Sequence, residues 1–183
     1  IILNAVLKPA PVALDFHFDL INVASWEKRL KEQEDVCTIT VHVGSCHRMN
    51  LQYWQLLAHL LNKYCGMIVG LSVRQLKGYL HPDAVRALAG SLPARLESLD
   101  FSSVLPGSRG LAILAAGLPP DLQYLDLSSC VDNGAAFGAE LLPVLQSLKL
   151  LRRLSATGNW QGAEATIQEL RAVAPLECEL ILS

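Results

Sequence analysis

The sequence has few charged residues and no long apolar run. Asp, Glu, Lys and Arg make up 17% of the 183 residues, where about 25% is usual. Asp plus Glu outnumber Lys plus Arg by 17 to 15, so we expect no nucleic-acid partner, because such a partner requires a basic field. The longest stretch without these four residue types, Met49 to Asn62, has 14 residues. A membrane-spanning helix needs about 20 apolar residues, so we expect no membrane span, although a place in a membrane-bound complex stays open.

Cysteine pairing motifs are also missing. The five cysteines, at positions 37, 46, 65, 130 and 178, include no C-x-x-C pair. An odd number at irregular spacing argues against a disulfide framework or a structural zinc site. We expect buried free thiols in a reducing compartment, and therefore an intracellular protein rather than a secreted one. The chain begins at Ile1 rather than Met, which would suit a processed organellar protein, mitochondrial for example, or equally a cytosolic fragment.

Motifs of common enzyme classes are absent as well. The sequence has no phosphate-binding G-x-x-x-x-G-K-[ST], no G-x-S-x-G and no H-E-x-x-H. His42, Cys46 and His47 form the one compact group of potential zinc ligands, but their spacing matches no zinc motif. We interpret them as ordinary strand and loop residues. We therefore predict no cofactor, no metal and no catalytic residue.

Leucine is abundant, with 35 residues, and it recurs in a repeating pattern. Residues 96–103 and 122–129 share the frame L-x-x-L-x-[LF]-S-S at an offset of 26 residues. Looser copies precede and follow them. Between the copies, apolar residues at i, i+3 and i+7 predict helices. The unit is therefore a strand, a turn, a helix and a turn back, which places successive strands in parallel. With an average spacing of 28 residues, the central apolar residues of the copies are Leu14, Ile39, Leu71, Leu99, Leu125 and Leu154.

This pattern resembles the leucine-rich repeat family. The frame L-x-x-L-x-L-x-x-[NC]-x-L fits best from Leu122 to Cys130 and next from Leu151 to Asn159. The helix-bearing period is similar to the ribonuclease-inhibitor-like class, most closely over residues 68–160. The resemblance implies an α/β solenoid, an arc with a parallel β-sheet on its concave side and helices on its convex side. We expect a single domain of six to seven repeats over residues 1–183, with residues 1–13 as an apolar N-terminal extension or cap.

Side chains alternate along a strand, so the polar positions of the frame should line the concave face in columns. Asp100 and Asp126 should be neighbours there. Because Asp recurs with the repeat, a catalytic carboxylate pair is not favoured. Larger side chains typical of interface hot spots lie nearby. The first predicted column is Asp15, Thr40, Ser72, Asp100, Asp126 and Ser155, and the second is His17, His42, Arg74, Ser102, Ser128 and Thr157. The predicted partner-binding residues are Arg74, Asp100, Tyr124, Asp126, Arg152, Arg153 and Trp160.

The low charge favours a chain whose surface is partly covered by another protein, because obligate interfaces resemble a divided core. We expect a non-catalytic protein–protein interaction scaffold, a structural or accessory subunit or assembly factor of a larger intracellular complex, with other protein subunits as partners. One alternative is a reversible regulatory binder, such as a ubiquitin-ligase substrate receptor or a ribonuclease-inhibitor-like antagonist. The other is an enzyme that uses the Asp pair or the His42 group.

Overall fold

Strands and helices alternate along the chain. The computed structural model describes residues 10–17, 23–43, 51–75, 80–104, 107–130 and 133–182, and most of the expected N-terminal extension lies outside these ranges. The strands are β1 (Val12–His17), β2 (Cys37–Val43), β3 (Ile68–Gln75), β4 (Ser98–Asp100), β5 (Tyr124–Asp126), β6 (Arg153–Ser155) and β7 (Glu179–Ile181). The helices are α1 (Val23–Lys31), α2 (Leu51–Lys63), α3 (Pro82–Ala89), α4 (Gly107–Ala115), α5 (Gly134–Ser147) and α6 (Glu164–Val173).

The strands form one parallel sheet in chain order, β1 to β7. The register places the central apolar residues of the repeat opposite one another in a single row. From Leu14 to Leu154 these six residues are at most 8% exposed, so this row forms the inner face of the sheet. The same row continues to Leu180 on β7. The expected α/β solenoid with a parallel sheet is confirmed.

The helices cover the inner face. Each helix from α2 to α5 packs against the next one in the chain, because the connections between neighbouring parallel strands place successive helices side by side. The predicted apolar stripes point inward, and Val85, Leu88, Leu111 and Leu114 are fully buried. In the described part of the chain, no helix is both long enough and apolar enough to cross a membrane.

The turns after the short strands are built alike. The backbone enters the left-handed region at Ser103 (φ 60°), Ser129 (φ 55°) and Gly158 (φ 74°). Backbone hydrogen bonds continue the ladder into these turns, because Ser103 N–H donates to the Ser128 carbonyl and Ser129 N–H donates to the Thr157 carbonyl, both at 2.7 Å. The carboxyl ends of β4, β5 and β6 are therefore tied to one another, and they hold the open face of the sheet in place.

The cysteines differ in exposure. Cys37 and Cys130 are fully buried, and burial raises the pKa of the Cys37 thiol. Cys178 is half-buried, whereas Cys65 is exposed. The expectation of buried thiols is therefore wrong for Cys65, which lies in the turn between α2 and β3. Cys46 and His47 lie outside the described residues, and so does any contact that they make with His42.

An ion-pair group joins the first two helices on the outer surface. The Glu27 carboxylate of α1 accepts a hydrogen bond from the Lys63 ammonium of α2, and Lys31 lies 3.4 Å away on the next turn of α1. The hydrogen bond with Lys63, followed by that with Lys31, holds the pKa of Glu27 below its ordinary value of 4.5. The same hydrogen bond to Glu27 raises the pKa of Lys63.

We predict that the contribution of the Glu27–Lys63 pair to the stability of the fold is lost at acidic pH. A lowered carboxyl pKa contributes stability at pH values above the unfolded pKa, and the contribution is lost as the pH falls through the folded pKa. NMR titration of Glu27 should give a pKa below 4.5, and Lys63→Met should raise it. Lys28→Met is the control, because Lys28 pairs with Glu32 at 3.7 Å instead. An equal response to both substitutions would contradict the assignment.

Candidate functional site

The sheet face opposite the helices, here called the concave face, carries three rows of side chains rather than the two predicted. The additional row consists of the residues that precede the central apolar position, which share a face with those that follow it because side chains alternate. This alternation of side chains predicts that Ser98 and Glu179 also lie on the concave face. The additional row runs Ala13, Thr38, Gly70, Ser98, Tyr124, Arg153 and Glu179. The first predicted column lies beside it and runs Asp15, Thr40, Ser72, Asp100, Asp126, Ser155 and Ile181.

Five of the seven predicted contact residues lie together on the concave face. Tyr124 is 44% exposed and stands between Ser98 and Arg153 in its row. Asp126 lies two residues along the same strand. The five residues are Arg74, Asp100, Tyr124, Asp126 and Arg153.

The other two predicted contacts lie elsewhere. Arg152 is exposed but precedes β6, where its backbone N–H donates to the Gln123 carbonyl at 2.8 Å. It therefore stands at the edge where the strands begin. Trp160 is only 8% exposed and packs edge-on against Phe137, with ring centroids 6.0 Å apart. Its placement on the contact surface is therefore wrong, because the turn after β6 directs the indole into the core.

Asp100 is held by hydrogen bonds from β3 and from the turn after its own strand. Its Oδ1 accepts from the Ser102 N–H at 3.0 Å and from the Ser102 hydroxyl at 2.7 Å. Its Oδ2 accepts from the Ser72 hydroxyl at 2.9 Å and from Arg74 Nη2 at 3.3 Å. Both oxygens are thus engaged, and the Arg74 guanidinium balances the charge.

Asp126 occupies the equivalent position on β5 but is bound more loosely. Its Oδ1 accepts from the Ser128 N–H at 2.9 Å, which repeats the local turn of Asp100. The Ser128 hydroxyl is directed to the Ser155 hydroxyl instead, at 2.9 Å. Among the described residues, none donates a hydrogen bond to the Asp126 Oδ2 atom. This oxygen is therefore available to a group from outside the chain.

A shallow depression of about 210 Å³ opens beside Asp126. Its side walls come from three adjacent strands, β4, β5 and β6, and its floor is formed by the buried row. Arg153 stands at its rim and pairs with Glu179, with Nε and Oε2 3.6 Å apart. The polar lining consists of Ser98, Asp100, Tyr124, Asp126, Arg153 and Ser155.

This geometry is suited to recognition rather than to acid–base chemistry. Two carboxylates that share one proton must face each other, whereas both oxygens of Asp100 are engaged by Ser72, Arg74 and Ser102. Within the described ranges, no three His, Cys, Asp or Glu side chains are grouped closely enough to hold a metal ion. What the concave face offers is a set of hydroxyl groups, one exposed aromatic ring and one open carboxylate.

The fold and the open polar sheet face together define a leucine-rich-repeat type of solenoid. Among solved structures, the chain is similar to the C-terminal domain of tropomodulin from Caenorhabditis elegans, with a TM-score of 0.53 and 14% sequence identity. The match covers 83% of this chain and 93% of that chain. At this identity the likeness concerns the fold alone. No protein-family model matches the sequence, and no curated protein does.

Proposed function

We propose that this chain is a non-catalytic protein-interaction module whose concave face binds a segment of a partner protein. The observation that carries the proposal is the exposed Tyr124 on the same strand as Asp126, whose Oδ2 atom accepts no hydrogen bond from the described residues. The end of this strand is tied to the ends of its two neighbours by backbone hydrogen bonds. Exposed aromatic and charged groups on a rigid surface are typical interface anchors. Because backbone hydrogen bonds hold the strands that carry these groups, little backbone entropy is lost on binding.

We further propose that the module works as a subunit or assembly factor of a larger complex. Support comes from two exposed leucines at equivalent places, three residues before β6 and β7. Leu150 is 53% exposed and Leu176 is 104% exposed. A constant partner would cover these two apolar side chains, which are otherwise left in water. The ribonuclease-inhibitor-like class of leucine-rich repeats is part of this proposal. The alternative function is a reversible regulatory binder, such as a ubiquitin-ligase substrate receptor or a ribonuclease-inhibitor-like antagonist.

The test blocks the concave face and leaves the fold intact. In Ser155→Trp a large ring fills the depression, and in Ala139→Trp, the matched control, an identical ring stands on an exposed position of α5. Full-length tagged chains are expressed in the source cells, and the native assemblies are separated by size and identified by mass spectrometry. We expect Ser155→Trp to lower partner recovery by about tenfold, which corresponds to about 1.4 kcal/mol, and Ala139→Trp to leave it unchanged.

Three outcomes decide between the proposed roles. Equal partner recovery with both tryptophan variants would contradict concave binding. Loss of an assembly of fixed composition in Leu150→Ser with Leu176→Ser would support the subunit role. A monomer whose partners vary with growth conditions would support the reversible binder instead.

A further inference from the structure

Two arginines on the described part of the concave face are each paired with a carboxylate. Arg74 lies 3.3 Å from Asp100, and Arg153 lies 3.6 Å from Glu179. At the other end of the face, His42 Nε2 lies 3.5 Å from Asp15 Oδ1. No cationic group of the described residues lies within ion-pair distance of Asp126. The Asp126 carboxylate, without a cationic partner among the described residues, therefore stands in the middle of the predicted contact surface.

Asp126 is also held in position for a ligand. The hydrogen bond from the Ser128 N–H fixes one carboxylate oxygen, so the other has a defined direction. Asp100 shows that the same local turn accommodates an Arg side chain, because its second oxygen binds Arg74 there. The chain itself therefore supplies an example of the contact that Asp126 lacks.

The dimensions of the depression limit what fits. Its volume of about 210 Å³ is smaller than that of typical small-molecule sites, which measure about 300–1,000 Å³. It is therefore a place for one side chain rather than for a whole cofactor. The phenol of Tyr124, 44% exposed, forms one wall. An aromatic face attracts a cation that passes within about 6 Å of the ring.

We propose that the Asp126 depression binds a lysine or arginine side chain of an extended segment in the partner protein. The cation forms a hydrogen-bonded ion pair with Asp126 Oδ2, and its methylene stem lies along the Tyr124 ring. The hydroxyl groups of Ser98 and Ser155 are acceptors for its remaining N–H groups. This inference rests on the proposed function, since it names the chemistry of the segment that the concave face receives.

Arg153 gives the proposal a further consequence. Its positive charge at the rim would repel a basic ligand, but Glu179 on β7 offsets it. Glu179→Gln removes this offset without touching the ligand and should weaken the binding of a basic segment by about twofold to fivefold. Arg153→Gln should strengthen it. If Arg153 and Glu179 had only a structural role, the two substitutions would not change the affinity for a basic segment in opposite directions.

The experiment uses the full chain and a library of random peptides displayed on phage. Peptides selected on the wild-type chain are synthesised, and their affinities are measured by fluorescence polarisation. We expect the selected sequences to share one Lys or Arg, and Asp126→Asn to weaken their binding by about tenfold or more. Asn retains an oxygen for the Ser128 N–H, so the fold should persist. Glu140→Gln on the outer face of α5 is the control and should change nothing.

A double-mutant cycle makes the assignment specific. Each peptide is resynthesised with norleucine in place of Lys, or citrulline in place of Arg. The neutral peptide should bind the wild-type chain more weakly but should lose nothing further with Asp126→Asn. Additive losses would overturn the proposal.

The selection also separates the two proposals. Peptides that lack a basic residue, yet lose binding with Ser155→Trp, would overturn the cation site and leave concave binding standing. Peptides indifferent to both Ser155→Trp and Asp126→Asn would overturn both.

Discussion

Gly117→Ala is expected to lower the free energy of unfolding by about 3 kcal/mol. Gly117 lies just after α4, where the backbone passes close to the end of α3. A Cβ atom at this position would lie 2.0 Å from the Ala89 carbonyl oxygen and 2.5 Å from its carbon. Both atoms belong to the backbone and cannot rotate away, so α3 and α4 must separate. Well-packed neighbouring helices resist such a shift.

Gly66→Ala is the matched control for this prediction. Gly66 lies in the turn between α2 and β3, and a Cβ atom there would have no neighbour within 4 Å. The substitution should be neutral or should stabilise by about 0.4–1 kcal/mol, because alanine restricts the unfolded chain. Urea unfolding of the two variants measures the difference. Similar free energies for both would mean that the close approach of α3 and α4 is not needed for stability.

The strand register is the feature that the sequence predicts best. Six central apolar residues aligned by the repeat occupy one row of the sheet, from Leu14 to Leu154. The reason is physical: each unit buries its apolar face only against its neighbours, so the hydrophobic pattern fixes the pairing of all strands. The local repeat pattern therefore predicts which residues pair on strands that are distant in the sequence.

The residues that leave the strands are harder to predict. Trp160 resembles an exposed anchor by residue type, but the left-handed turn at Gly158 directs the chain inward. Cys65 resembles a core residue by type, yet it is exposed in a turn. Neither belongs to the periodic part of the unit. Their placement depends on the path of the turn that follows the strand or helix, and the spacing of the apolar residues does not predict that path.

The difference between Asp100 and Asp126 is another property that the sequence does not reveal. Both stand in the frame L-D-x-S, and both accept a hydrogen bond from the N–H two residues later. They differ because Ser72 and Arg74 reach Asp100 from the preceding strand. At the corresponding places before Asp126 stand Asp100 and Ser102, and the Ser102 hydroxyl donates to Asp100 instead. The availability of a carboxylate is thus decided by the neighbouring repeat.

Asn159→Ala is expected to destabilise the fold by about 3–5 kcal/mol. Asn159 is 1% exposed and bridges the turns after β5 and β6. Its Oδ1 accepts from the Cys130 N–H at 2.8 Å, and its Nδ2 donates to the carbonyls of Leu127 at 2.7 Å and Ala156 at 3.0 Å. Alanine leaves these buried groups without partners, and an unpaired buried polar group is costly.

Two variants calibrate this effect. Asn133→Ala removes the single side-chain bond to the Ala136 N–H at the start of α5, where Asn133 is exposed, and should cost about 1 kcal/mol. The cost of Asn159→Cys should lie between the costs of these two alanine substitutions. Cys130, in the equivalent place one repeat earlier, donates to the Phe101 carbonyl at 3.1 Å, so a cysteine at 159 could keep one such bond. A thiol does not accept a hydrogen bond from the Cys130 N–H as an amide oxygen does. Equal costs for Asn159→Ala and Asn133→Ala would contradict the bridging role.

The loss of the Asn159 side chain should also affect the orientation of Asp126 on the concave face. Leu127 directly follows Asp126, and Ser128 N–H fixes the Asp126 carboxylate. Once the Leu127 carbonyl loses its partner, the turn that carries Ser128 is held less firmly, so the carboxylate becomes less well oriented. Hydrogen exchange at the Ser128 and Ser129 amides should become faster in Asn159→Ala under conditions where the chain stays folded. Affinity for a basic peptide should fall in the same variant, although Asn159 is buried and cannot touch the peptide.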